Sequence, residues 1–295
     1  MRLRLLGSKD LRARPGGEAE GLSLCPVRQR AEAQKLSACS ALRIKRGRAL
    51  GQGKYRQDFY GFQVGADLGG SANDAGSTVF GVTAGYISSR QNFEQAGDRA
   101  KFDAVNLGAY ASVKRGAFFA NLLGQYDHHS IDANGKALDW SDKTSGNGYG
   151  LQAEIGARLG SERIFVEPLA SLAWQKTDID RVELLGQSVD FGKLDGLTGR
   201  LGARIGGKAR FLGTDAVFYA KGSWVHQFDG KASATLFSGG TSETVDGHAM
   251  GDYGQAALGV NILSEGPVSG FIEGSASFGS SAKGGGGRAG IRFKF

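Results

Sequence analysis

The chain is poor in the residues that most readily announce a fold. It has 2 Cys, 4 Pro and 2 Met among 295 residues, and nowhere a run of about 18 apolar residues. The last absence excludes a transmembrane helix. It leaves transmembrane strands open, because each of those spends only every second residue on lipid. Cys25 and Cys39 both lie near the front, at a spacing that matches no zinc or redox motif, and the rest of the chain is thiol-free, as suits an exported protein.

A surplus of one charge sign is also missing from most of the chain. The formal charge is +7, yet residues 1–50 hold 12 Lys and Arg against 4 Asp and Glu, and the remainder holds 24 against 25. Basicity therefore belongs to the front segment, and nothing in the main body implies nucleic acid. Residues 1–50 read as a basic, poorly ordered leader or truncated linker. Met1 to Leu6 starts like a signal n-region, but Lys9, Asp10 and Arg12 bring charge back before an apolar stretch can form. Gly16, Gly17, Gly21 and Pro26 argue against a stable helix over the segment from Glu18 to Leu36. No export signal is recognisable there. The expected organisation is this leader over 1–50 and a single β-domain over 51–295.

What the chain does have is glycine, 49 residues of it, and alternation. Tyr60, Phe62, Val64, Ala66 and Leu68 fall on one strand face with Gly61, Gln63, Gly65 and Asp67 between them. The same period of two recurs at Phe80 to Tyr86, Val105 to Val113, Phe118 to Tyr126, Tyr149 to Leu159, Val166 to Trp174, Leu201 to Ile205, Phe218 to Phe228, Ala256 to Ile262 and Val268 to Phe278. It closes the chain at Ala289, Ile291, Phe293 and Phe295, with Arg288, Gly290, Arg292 and Lys294 on the other side. Connections near Gly116, Ser161, Gly213 and Glu265 are tight, whereas 87–104, 128–147, 178–196 and 229–251 are long and polar.

A β-sandwich also alternates, but its apolar face is its core and its outer face is rich in Thr and Lys. Here the polar positions are Gly, Gln, Asn and charges of both signs, and aromatics gather near strand ends as in a membrane girdle. The fold class expected is all-β: an antiparallel transmembrane β-barrel of the outer-membrane type with about 12 strands. Eleven strands follow from Tyr60 onward. The first strand, needed for even parity within about Leu42 to Leu50, alternates so badly that it is expected to be degenerate or missing. Asp229 to Gly251 is expected to be one external loop, with room for a small hairpin at Ala232 to Phe237.

The ordered series of stretches 58–69, 105–113, 148–160, 165–175, 197–207, 224–228 and 253–262, with the terminal Gly287 to Phe295, resembles the C-terminal translocator domain of classical autotransporters, the type V secretion family of Gram-negative bacteria. The resemblance implies a twelve-stranded barrel in the outer membrane and a pore for export of an upstream passenger. It also implies a linker helix in the lumen, insertion by the barrel-assembly machinery and no cofactor. The C-terminal residues Ala289, Ile291, Phe293 and Phe295 correspond to the assembly signal of such barrels. Partners expected are outer-membrane lipid, the assembly machinery and a passenger outside this chain. A stand-alone porin-like channel and a truncated autotransporter remnant are the alternatives, and an outer-membrane hydrolase is a third reading of another class.

The polar side of each strand is expected to line a wet lumen: Gln63, Asp67, Asn106, Gln125, Gln152, Glu154, Arg158, Glu167, Arg200, Arg204, Lys208, Gln255, Asn261, Glu273 and Arg292. Among these, Glu154, Glu167, Arg200 and Arg204 fall on three consecutive strands and are expected to form a ladder of opposed charges, by ordinary cross-strand pairing. No catalytic or metal site is expected. Asp127, His128 and His129 invite a protease or metal reading, but neighbours on a strand point to opposite faces, so the two histidines cannot share a ligand site without help from elsewhere, and the group reads as loop-edge polarity. His226, beside Trp224 and Phe228, is expected in an interfacial belt. Gly284 to Gly287 lack the helix that a phosphate cradle needs and read as a hairpin tip.

Overall fold

The computed structural model describes residues 34–48, 54–73, 75–93, 99–135, 140–161, 163–184, 187–192, 194–211, 213–238, 241–247, 251–263, 266–279 and 283–294. In chain order the strands are β1 (Gln34–Arg48), β2 (Lys54–Asn73), β3 (Gly76–Phe93), β4 (Arg99–Arg115), β5 (Phe118–Gly135), β6 (Trp140–Ala157), a two-residue β7 (Leu159–Gly160) and β8 (Phe165–Ile179). They continue with β9 (Val182–Leu184), β10 (Gln187–Phe191), β11 (Leu194–Phe211), β12 (Thr214–Ser238), β13 (Thr241–Gly247), β14 (Tyr253–Leu263), β15 (Val268–Phe278) and β16 (Lys283–Lys294).

All pairings are antiparallel, and they close. The order β11-β8-β6-β5-β4-β3-β2-β1-β16-β15-β14-β12 returns on itself through the β11–β12 ladder, so twelve strands make a ring. The seam is β1, which pairs β2 from Lys35 opposite Ala66 and pairs β16 from Gln34 opposite Lys294. The first strand is therefore present, from Gln34 rather than within Leu42 to Leu50, which corrects the expectation that it is missing, while its expected poor alternation holds. It starts inside the segment expected to be a leader. Ring closure is the physical reason. Without β1, the facing edges of β2 and β16 would leave a row of unpaired backbone groups in hydrocarbon, at several kcal/mol each. That demand falls on the backbone and does not require the apolar period. In register, Ser37, Cys39 and Ala41 stand opposite the outward Val64, Phe62 and Tyr60, so the strand lacks the pattern that marks the others.

The ring is inside out relative to a soluble domain. Leu258 and Phe118 are 70% exposed and Ile155 61%, whereas Glu154, Glu167 and Arg204 are 1% exposed. The residues of each apolar stripe form a band around the outside, including Ala289, Ile291 and Phe293 on β16. Phe295 lies outside the described residues. Among the described residues no helix is long and apolar enough to cross a membrane, and crossing falls to the strands.

Turns at one end of the ring are tight, with Gly116 and Gly213 at φ 56° and 81°, a region that favours glycine. The start of β1 and the end of β16 lie at this same end. At the other end the strands overrun the apolar band. The stretches expected as long loops are largely paired: β3 reaches Phe93 and β4 begins at Arg99, while β5 reaches Gly135 and β6 begins at Trp140. Beyond the hydrocarbon both faces of a hairpin can be solvated, so strand pairing there needs no apolar stripe. The 229–251 segment does not cross. Its hairpin is longer than expected, since β12 runs on to Ser238 and pairs β13 from Ala232 opposite Gly247, with β10 and β9 added on the other side. Gly284 to Gly287 are paired on both flanks within β16 and are not a hairpin tip, because closing the ring takes up their backbone groups in the ladders to β1 and β15.

The facing predicts how substitutions divide. Leu258→Arg, at the middle of β14 on the exposed face, should cost about 2–4 kcal/mol in urea unfolding from lipid vesicles, against little change for Gln255→Arg on the inward face. Equal losses at the two positions would contradict the facing.

Candidate functional site in the barrel interior

The inward face is built in two storeys. Near the tight-turn end it is ringed by Tyr110, Phe119, Phe165 and Tyr219, all buried. Each ring lies over a glycine that is its register partner on the adjoining strand: Gly81, Gly156, Gly206 and Gly259. A Cβ on Gly259 would stand 2.3 Å from the Tyr219 ring, so only glycine leaves this path open. Tyr219 on β12 thereby reaches across β14 and donates a hydrogen bond of 2.8 Å to Glu273 Oε2 on β15. Tyr110 on β4 likewise crosses β3 at Gly81 and donates to Asp67 on β2. Two struts of one design, each spanning three strands, thus brace separate parts of the wall.

The charged groups concentrate on β6, β8, β11, β15 and β16. Arg204 is the register partner of Glu167 and pairs with it directly. Arg158 Nη1 approaches the other carboxylate oxygen of Glu167 at 3.7 Å, and its guanidinium lies 3.8 Å above the Phe165 ring. On the last two strands, Arg288 places Nη2 2.7 Å and Nε 2.8 Å from Glu273 Oε1, so this one carboxylate accepts from both Arg288 and Tyr219. Glu154 and Arg200 share a row with Ser171 between them, one strand apart. Burial on this scale requires opposed charges close by, since an isolated ion in the wall would cost several kcal/mol.

Of the polar residues expected to face inward, Asn106, Gln152, Glu154, Glu167, Arg200, Arg204, Asn261 and Glu273 are buried, and Gln63, Asp67, Gln125, Arg158, Lys208, Gln255 and Arg292 are half-buried. Lys208 stands by the tight turns, 2.8 Å from Asp215. Sequence reasoning missed Tyr110, Phe119, Phe165 and Tyr219, and it placed Arg288 on the polar side of the last strand without including it in the interior set. The signal for the tyrosines is a ring at a polar parity facing a glycine, and it becomes visible only with the register.

Asp127 and His128 stand on opposite faces of β5. Asp127 is buried and accepts from Gln125 Nε2 at 2.9 and 3.1 Å. His128 is exposed outside, with Nδ1 3.0 Å from Asn147 Oδ1, which also accepts from Tyr126 OH at 2.7 Å. The wall separates Asp127 from His128, whereas His129, two residues on, shares the inner face with Asp127, and a Cβ on Gly148 would meet both side chains. Among the described residues no group of three His, Cys, Asp or Glu is placed to hold a metal ion. His226 stacks on Trp224, with centroids 5.6 Å apart, and meets Phe228 edge-on at 4.6 Å. Tyr126 and Tyr149 form a similar pair at 5.4 Å on the outer face, so this end of the band carries rings as a membrane interface does.

A closed antiparallel ring, apolar outside and ionic within, defines an outer-membrane β-barrel with a polar interior. The particular kind follows from comparison with known proteins. The family model described as the autotransporter beta-domain matches residues 42–275, and the chain belongs to that family. The fold is similar to the beta domain of the Bordetella autotransporter BrkA, at 18% identity and TM-score 0.73 over 89% of this chain and 99% of that one. It is similar to the transport unit of AIDA-I from Escherichia coli, at 17% identity and TM-score 0.76 over 93% of each chain. It is also similar to the translocator domain of NalP from Neisseria meningitidis, at 17% identity and TM-score 0.71 over 90% of each. A search of curated protein sequences finds no match. The chain is an outer-membrane translocator barrel.

The Glu167 cluster carries a stability prediction. Glu167→Ala removes the carboxylate shared by Arg204 and Arg158 and should cost about 3–5 kcal/mol in denaturant unfolding. Glu167→Leu combined with Arg204→Leu should recover most of that loss.

Proposed function

We propose that the interior is the conduit through which an upstream passenger polypeptide reaches the cell surface, and that the polar residues of the inward face line that conduit. The observation that carries the reading is the closed ring with β1 starting at the tight-turn end. Tight turns are periplasmic in outer-membrane barrels. A segment preceding β1 therefore starts on the periplasmic side, and its path to the outside through the same barrel is the lumen.

The dimensions support this. Twelve strands about 4.8 Å apart, tilted by about 40°, give a wall about 24 Å across between backbones. Subtracting a side chain on either side leaves room for one helix of about 10–12 Å. The interior charges are paired with one another, as Arg204 is with Glu167 and Arg288 with Glu273. Such a lining stays wet and holds a passing segment weakly. The role is mechanical and non-catalytic, and needs no cofactor.

Ala289, Ile291 and Phe293, exposed at alternate positions on the last strand, together with the terminal Phe295, are read as the signal for the barrel-assembly machinery. Changing Phe293 and Phe295 to Ser should lower the heat-modifiable barrel recovered from outer membranes by at least about fivefold, with refolding in detergent little affected.

A secretory signal and a small reporter domain joined ahead of residue 1 test the conduit directly. Protease added to intact cells is expected to release the reporter. A reporter kept in the periplasm while the barrel is inserted and heat-modifiable would favour a stand-alone channel and sink the export reading.

A further inference from the structure

Above the apolar band, at the end opposite the tight turns, the outer surface is not uniform in charge. On β2 to β6 one row runs Asp58, Arg90, Lys101, Asp132, Lys143, each opposite the next. All take the outward parity of their strands. Arg99 stands one step higher on β4, in register with Asn92 and Asn134. Arg90, Arg99 and Lys143 are exposed, and the Lys101 side chain is 41% exposed. Below this row lie Tyr60, Ser88, Asp103 and Ser130, with Tyr86 donating 2.8 Å to Asp103, which also holds Lys101. Lower still comes the apolar band of Phe62, Val105 and Tyr126. The row ends at β6: on the adjoining β8 Asp178 stands opposite Asn147, and just past its end Asp180 accepts from Ser145.

The row begins four residues beyond Tyr86 on β3, or about 10 Å above the ring at the tilt of a barrel strand. That is headgroup height on the outer leaflet, given the translocator orientation on which this inference rests. From Arg90 to Lys143 is three strand spacings, about 14 Å. One phosphate would meet one or two of these cations. A headgroup with two phosphates spread over a comparable distance would meet the set, its acyl chains lying on the apolar band directly beneath.

We propose that the outer arc of β3 to β6 is a docking surface for the bisphosphorylated headgroup of an outer-leaflet glycolipid, held by Arg90, Arg99, Lys101 and Lys143. Asp132, 3.7 Å from Lys143, keeps that lysine oriented along the row. The arc gives the barrel a preferred lipid-facing side.

The test uses the full chain refolded into phosphatidylcholine nanodiscs that contain bisphosphorylated lipid A, dephosphorylated lipid A or phosphatidylglycerol, each at the same mole fraction. Native mass spectrometry after release counts the lipid retained per barrel. Bisphosphorylated lipid A should be retained at least about tenfold better than its dephosphorylated form, and the advantage should vanish when all four cations become Gln. Arg90→Gln with Arg99→Gln, which touches neither lysine ion pair, should lose at least about threefold. Heat-modifiable mobility shows that each variant is folded. Equal retention of the two lipid A forms, or full retention by the folded fourfold variant, would overturn the proposal. Phosphatidylglycerol held as well as lipid A would overturn the glycolipid assignment. Failure of reporter export leaves this measurement intact, so the two readings fall separately.

Discussion

The constraint on which the structure depends is that a strand in hydrocarbon must have both its edges paired. Water is absent, so each orphaned N–H or C=O costs several kcal/mol, and a sheet survives only by closing. Here closure is achieved by β1, which stands between the first and last strands of the regularly patterned set. Its side-chain sequence is a poor match to a membrane strand, and its backbone is nevertheless the one element that completes the ring. The final strand is constrained from the other direction: β16 meets β15 on one side and β1 on the other, and its exposed Ala289, Ile291 and Phe293 continue the outer band across the seam.

Closure then dictates where chemistry can go. The apolar side of every patterned strand faces lipid, so polar and charged groups are gathered into a small interior. They are tolerable there because they answer one another across strands: Arg204 answers Glu167, and Arg288 with Tyr219 answers Glu273. The glycines opposite Tyr110 and Tyr219 let rings lie flat along the wall and tie three strands at a time. A lining of this kind is stiff and wet, which is what passage of a polypeptide asks of it.

Much of this was legible in the sequence for a definite reason. Lipid imposes a period of two on each strand within the hydrocarbon, and eleven strands show it plainly, from Tyr60 to Phe293. The separation of Asp127 from His128 was legible too, because strand geometry alone sends neighbours to opposite faces. What stayed hidden lies where lipid imposes nothing. The first strand is selected by edge pairing, and the long hairpins beyond Phe93 and Gly135 stand above the hydrocarbon. The tyrosine struts depend on which residues face each other across strands, and alternation within one strand does not fix the register between two.

The central claim is that the two faces of each strand meet different media, lipid outside and water within. Single spin labels along β14, from Gln255 to Ile262 and sparing Gly259, measure this directly in vesicles through collisions with dissolved oxygen and with a water-soluble nickel complex. Oxygen collisions should peak at Ala256, Leu258, Val260 and Ile262, and nickel collisions at Gln255, Ala257 and Asn261. A profile without the period of two, or one with the two reagents exchanged, would contradict the account.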